Sequence, residues 1–252
     1  MSRTSRRRQR ILELIGTGEE DVDVLAGILD VSASTVRRDL AVMSQEGRVT
    51  RTYGGAVLAH AQPEQTLSAR ENENRAAKDA IARAAAAMID DGDRVLLDAG
   101  STVGALGRLL PSRSLHIVTG NLPLVPILAN TPPLELVVLA GAVRPISMGV
   151  VGPLAEQTLR RLTVDKAFLG CDGVVAGRGL CEASAEQTAL KELMVAQAAE
   201  VFVLADASKL GRASQQFWAL MPKRWTLITD ASASDEQLAP FARHHGVQII
   251  RA

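Results

Sequence analysis

The chain has 252 residues, room for one large domain or two smaller ones, and its 28 basic and 28 acidic residues leave no net charge. That balance gives no global reason to expect nucleic acid or a membrane, and the apolar stretches are too short and interrupted to span a bilayer. Two cysteines, Cys171 and Cys181, with no CxxC or Cys/His ligand spacing, argue against a structural zinc site; no metal and no cofactor is expected. The basic N-terminus lacks an apolar signal core and a cleavage site, so the expected setting is the reducing cytoplasm.

Charge is uneven along the first sixty residues. Ser2 to Arg10 hold five arginines and no acid; Ile11 to Val36 hold six acids and no Lys or Arg; then come Arg37, Arg38, Arg48 and Arg51. Such clustering makes a basic face on a neutral chain. Ile11, Leu14 and Ile15 share one face of a helix starting near Arg6. Val22, Leu25, Ala26 and Leu29 repeat at i, i+3, i+4, i+7, a second amphipathic helix. "DVS" breaks it, and Ser32 or Ser34 is placed to N-cap a third helix running to about Gln45. There Val36, Leu40 and Met43 point one way, while Ser34, Thr35, Arg37 and Arg38 lie on other faces. "GRVTRTYGGAVL" sets Gly54-Gly55 between two β-prone stretches, a hairpin signal.

Three helices and a hairpin make a winged helix-turn-helix, assigned here to residues 1–58. Docking the third helix needs an apolar inner face, and entering a major groove needs a small, basic outer one. Arginine bonds bidentately to guanine, and Ser or Thr bonds base edges or phosphate. Arg51 and Tyr53 are placed to grip the DNA backbone or the minor groove, and the arginine-rich start to add phosphate contacts. On its own the Arg37-Arg38 pair reads equally as a solvated helix face.

Residues 59–74 are polar, hold one proline, and read as a linker with some helix. From Arg75 the helix "RAAKDAIARAAAAMI" precedes apolar runs at 94–98, 116–120, 135–140, 166–170, 200–205, 225–229 and 247–251, mostly separated by helical segments. That alternation predicts an α/β domain over 75–252, a Rossmann-like and mostly parallel sheet covered by helices. Ligands of such sheets sit beyond the carboxyl ends of the strands. Those ends read Asp98-Ala-Gly-Ser-Thr, Thr119-Gly-Asn121, Gly141 and then Arg144, Cys171-Asp172-Gly173, Asp206-Ala-Ser208-Lys209 and Thr229-Asp230. Any one of them is an ordinary strand–helix turn; their accumulation points to a pocket. Gly100, Ser101 and Thr102 suit an anion at a helix N-terminus, with Lys209 as countercharge. Asp98, Asn121 and Asp172 suit hydroxyl groups, so a phosphorylated sugar or related metabolite fits.

The stretch "VLAGILDVSASTVRRDLAVMSQEGRVTRTYGGAV" closely resembles the DNA-binding domain of the DeoR family of bacterial repressors, with Met43 where leucine is usual. The resemblance implies that Ser34, Thr35, Arg37 and Arg38 lie on the groove-facing helix, and leaves Asp39 free to orient a neighbouring arginine. "DAGST", "VTGN", "LAGAVR", "KAFLGCDGV", "LKELMV" and "LADASKLG" resemble the DeoR-type sensor domain, itself similar to ribose-5-phosphate isomerase; Ala140-Gly141 departs mildly from a usual Gly-Gly. In the isomerase-like match, Val175 and Leu190 stand where acids are expected, and leucine carries no proton. His116, His244 and His245 have no neighbouring motif to recruit them. The expectation is therefore a ligand-controlled, non-enzymatic regulator, most simply a repressor of a carbohydrate operon. It would bind duplex operator DNA as a homo-oligomer, dimer or tetramer, because a lone winged helix reads only a short half-site. The alternative is a sugar-phosphate isomerase-like enzyme with an appended DNA-binding domain.

Overall fold

The computed structural model describes residues 3–15, 20–46, 49–51, 55–58, 64–213 and 215–252. The N-terminal unit comprises α1 (Arg3–Leu14), β1 (Glu20–Asp21), α2 (Val22–Leu29), α3 (Ala33–Gln45), β2 (Val49–Arg51) and β3 (Gly55–Leu58). Asp21 caps α2 by accepting from the Asp23 amide at 2.7 Å. Asp30 ends that helix in the left-handed region at φ 51°, and the Val31 amide returns to the Ala26 carbonyl at 3.1 Å. This C-cap makes the tight turn that "DVS" predicted. Ser32, not Ser34, caps α3 by accepting from the Thr35 amide. Ile11, Ile15, Leu25, Val36, Leu40 and Met43 form the core, the inner faces that the periodicity predicts. The two arms of the hairpin pair antiparallel, and β1 adds a third strand beside β3.

The larger unit begins with α4 (Leu67–Asn72) and α5 (Arg75–Ala86). Its sheet holds β4 (Arg94–Leu97), β5 (His116–Thr119), β6 (Glu135–Val138), β9 (Val164–Leu169), β12 (Ala198–Leu204), β14 (Trp225–Thr229) and β15 (Val247–Arg251). All neighbours are parallel, in the order β15-β14-β12-β9-β4-β5-β6. All seven apolar runs became its strands. Leu96, Ala167, Leu169, Val203 and Leu227 enter the core on one face; Val95, Leu97, Phe168, Phe202 and Ile228 enter that on the other. In β4, β9, β12 and β14, burial on both faces is why the segments read as continuous apolar runs; the edge strands β6 and β15 are largely exposed or half-buried. Phe168 and Phe202 stack at 4.8 Å between centroids.

Two small antiparallel pieces had no place in the sequence reading. The strands β7 (Ala142–Arg144) and β8 (Gly149–Val151) form a hairpin. β10 (Gly173–Val175), β11 (Gly179–Glu182) and β13 (Phe217–Ala219) form a three-stranded sheet. The helices α6 (Ser101–Gly107), α8 (Pro153–Leu159), α9 (Ala185–Gln197) and α10 (Asp235–Ala242) complete the unit with the short α7 (Val125–Leu128). Strand order carries the functional consequence. From β4 the chain moves to β5 and β6 on one side, and β9, β12, β14 and β15 lie on the other. The order reverses between β4 and β9, which opens a crevice beyond their carboxyl ends.

Candidate functional site: a DNA-reading helix and a ligand cleft

On α3, Ser34, Arg37 and Arg38 are exposed and Thr35 is half-buried. Neither arginine forms an ion pair among the described residues, so both guanidiniums are available to a partner. The Ser34 and Thr35 hydroxyls both meet that of Ser32 at 2.9 Å, which gathers three hydroxyls at the start of the helix. Asp39 faces the other way. It is 2 % exposed and accepts from Arg7 Nε at 2.6 Å and Arg8 Nε at 2.9 Å, binding α3 to α1. Asp39 therefore orients arginines distant in sequence. Of the arginine-rich start expected to add phosphate contacts, Arg7 and Arg8 are held internally and Arg10 pairs with Glu13, whereas Arg3 and Arg6 are exposed. Arg51 lies on β2; Tyr53 lies outside the described residues.

The crevice between β4 and β9 is a cleft open to solvent at its mouth. Asp98, Gly100, Ser101, Thr102, Asp172 and Lys209 all line it. Gly100 precedes α6 at φ 137°, a backbone conformation that side chains rarely adopt, and its carbonyl starts the helix by accepting from Gly104. The first amides of α6 have no intrahelical acceptor. Lys209 ends the one-turn helix Ala207–Lys209 and makes no ion pair among the described residues.

Two residues expected to meet hydroxyl groups, Asn121 and Asp98, are bonded within the protein. Asn121 is 1 % exposed and does not line the cleft. Its side-chain amide donates to the carbonyls of Asp98 (3.2 Å) and Gly100 (3.3 Å), so it holds the loop from behind. Asp98 borders the cleft, but its carboxylate is already occupied. It accepts from the amides of Ala99 and Gly170 and from Lys191 Nζ at 2.5 Å.

Lys191 is the main residue that sequence reasoning missed. It lies on α9, is 4 % exposed, and also donates to the Gly170 carbonyl at 2.6 Å and meets Glu182 Oε1 at 3.0 Å. Burial alone would depress its pKa, but the Asp98 and Glu182 carboxylates outweigh this and raise it. Glu182, on β11, is pushed up to about 7 by burial, with Asp172 and Asp98 adding to the rise and Lys191 opposing it. Burial also pushes up the Cys171 thiol beside them, so it sits in the cleft as a neutral group. Leu190 lines the cleft; Val175 is buried with Ala213 and does not line it. The second missed group is Arg70. It lies in the stretch read as linker, yet α4 packs on the sensor unit and Arg70 lines the cleft 3.6 Å from Asp172. The segment "LKELMV" stood out in the sequence, so Lys191 had a signal; Arg70 had none.

A winged helix with free arginines, on the same chain as a switch-point cleft in a parallel sheet, defines a DNA-binding protein with a small-molecule sensor domain. The chain belongs to the DeoR family of helix-turn-helix transcriptional regulators: residues 7–62 match the DeoR-like helix-turn-helix domain and residues 73–231 the DeoR C terminal sensor domain. It is 35 % identical to the HTH-type transcriptional repressor GlcR of Bacillus subtilis over 88 % of this chain and 86 % of that protein. It is 34 % identical to the HTH-type transcriptional regulator GlpR of Haloferax volcanii, over 90 % of this chain and 89 % of that one. The lactose phosphotransferase system repressor of Lactococcus lactis matches at 29 %, over 95 % and 96 %. Among solved structures, ribose 5-phosphate isomerase A of Methanocaldococcus jannaschii aligns at 22 % identity and a TM-score of 0.42, over 57 % of this chain and 59 % of that one. A likeness that loose assigns no activity. Among the described residues no helix is long and apolar enough to cross a membrane.

Proposed function

We propose that this regulator represses a carbohydrate-metabolism operon and that a phosphorylated sugar or related metabolite in the switch-point cleft modulates its hold on DNA. The observation that carries the reading is that Lys209, which makes no ion pair among the described residues, and the Gly100-Ser101-Thr102 loop line the same cleft as Asp172. Phosphate goes to the loop amides and Lys209; hydroxyls go to the side of Asp172. Ser34, Thr35, Arg37 and Arg38 enter the major groove, with Arg51 and Tyr53 of the wing on the DNA backbone or in the minor groove. The protein works as a symmetric oligomer, because two half-sites lengthen the readout. The names of the relatives, repressors among them and one of a lactose phosphotransferase system, support this reading.

A gel shift on DNA upstream of the gene, repeated across salt concentrations, tests the first half. Specific binding that weakens steeply with salt is expected, and its absence sinks the proposal. Thermal-shift screening with sugar phosphates tests the second half.

One observation favours a second reading, an isomerase-like enzyme. Glu182, near 7 and bordering the cleft, has the pKa of a general acid–base. Its tie to Lys191 and the hydrocarbon of Leu190 argue for the sensor instead. Robust turnover of pentose or hexose phosphates decides for the enzyme.

A further inference from the structure

We propose that the segment joining the two domains is itself a wall of the effector cleft, and that Arg70 on it is the side chain by which a ligand's hydroxyl groups hold that segment against the sensor domain. The inference rests on reading the cleft as an effector pocket.

The segment is fastened at several points. The Leu67 amide donates to the Ile146 carbonyl at 2.8 Å, and Leu67 is buried. Glu64 pairs with Arg144 on the β7–β8 hairpin. Lys78 Nζ donates to the Arg70 carbonyl and, at 2.7 Å, to the Glu73 carbonyl, closing the last turn of α4. Against this well-bonded background the Arg70 side chain stands out. Its nearest carboxylate oxygens, Asp172 Oδ1 at 3.6 Å and Glu64 Oε1 at 3.8 Å, lie beyond hydrogen-bond length. Its Nε and Nη2 are buried with no hydrogen-bond partner, and so is Asp172 Oδ2. Buried polar groups without partners are rare because leaving them unbonded is costly, and at a cleft they mark where a polar ligand completes the bonding.

The pattern of open groups says what the ligand presents there. A second phosphate or a carboxylate would satisfy Arg70 but face Asp172 and Glu182. A hydroxyl group does both jobs, accepting from Arg70 and donating to Asp172. Two adjacent hydroxyls match the guanidinium fork. The ligand is therefore oriented, phosphate toward Ser101, Thr102 and Lys209 and its diol end toward Arg70.

The same contact links the two domains. Leu58 ends the wing hairpin and Glu64 follows six residues later, a reach of roughly 20 Å at full extension. The docking of α4 thus limits where the wing can go. A ligand that bonds Arg70 binds the docked form better than the undocked form, and that difference in affinity is what coupling requires.

Hydrogen exchange on the full-length protein tests this, with ribose 5-phosphate, glucose 6-phosphate, fructose 6-phosphate, fructose 1-phosphate and inorganic phosphate as saturating probes. Inorganic phosphate should slow exchange over 99–103 only. The best sugar phosphate should slow 99–103 and also slow 66–72 by tenfold or more. Arg70→Lys, which keeps the charge and loses the fork, and Arg70→Ala should both lose the slowing over 66–72 while keeping it over 99–103. The inference is overturned if 66–72 is unresponsive while 99–103 responds, or if both variants behave like the parent. If no probe slows 99–103, the pocket reading fails and takes this inference with it.

Discussion

Replacing Lys191 by methionine, close in volume but uncharged, asks whether the buried ion cluster organises the cleft. The ammonium serves Asp98, Glu182 and the Gly170 carbonyl at once. Asp98 keeps two backbone donors after the change, so it stays largely satisfied. The Gly170 carbonyl loses its partner, about 1–2 kcal/mol. Glu182 loses the cation it pairs with while Asp98 and Asp172 still crowd it; at pH 8 it must protonate, which costs up to about 1.4 kcal/mol from its value near 7 in the parent. Together these come to about 2–3 kcal/mol, near the low end of what breaking one side of a buried pair costs. The sensor-domain melting transition at pH 8 should fall by roughly 4–12 °C, since about 2–4 °C goes with each kcal/mol at this domain size. Differential scanning calorimetry of the full chain checks it, with the winged-helix transition as internal control. Adding Glu182→Gln should recover part of the loss, because it removes the stranded carboxylate. A Lys191→Met protein melting within about 2 °C of the parent would refute the account of the cluster.

Other outcomes follow from the same contacts. Burial holds the Glu182 carboxyl near 7 against an ordinary 4.5, so the folded state binds its proton more tightly than the unfolded state does. The parent should therefore lose stability as pH rises from 4.5 to 7 and level off above, by about 3 kcal/mol from this group. Glu182→Gln should flatten that slope in urea titrations across pH; an unchanged slope excludes Glu182 as its source. Arg38→Ala should weaken operator binding by about 1–3 kcal/mol and lower its salt dependence if the contact is to phosphate, with the melting temperature unmoved. Asp39→Ala should instead lower the melting temperature of the winged-helix unit, because it releases Arg7 and Arg8. Lys209→Ala should leave operator affinity intact in gel shifts while raising the effector concentration needed to change it. Equal loss of both would place Lys209 in the fold rather than at the ligand.

Much of this molecule is determined by local sequence. The inner face of α3, its serine cap, the turn at Asp30, the hairpin and all seven strands follow from periodicities and capping chemistry that act within a few residues. The same holds for the loop through Gly100, Ser101 and Thr102, whose glycine and hydroxyls stand together in the chain. The tertiary structure decided everything that depends on strand order and on pairs distant in sequence. Only the reversal between β4 and β9 brings Asp98 within 2.5 Å of Lys191, ninety-three residues away, and so turns an expected ligand group into part of an ion cluster. Asn121 moved behind the loop for the same reason, and Arg70 entered the cleft from a stretch too polar to show a period. Charge and hydrogen-bond partners are chosen by the fold, because a carboxylate or guanidinium bonds whatever packing places beside it; one sequence shows which groups are present, and packing alone shows which of them remain open to a ligand.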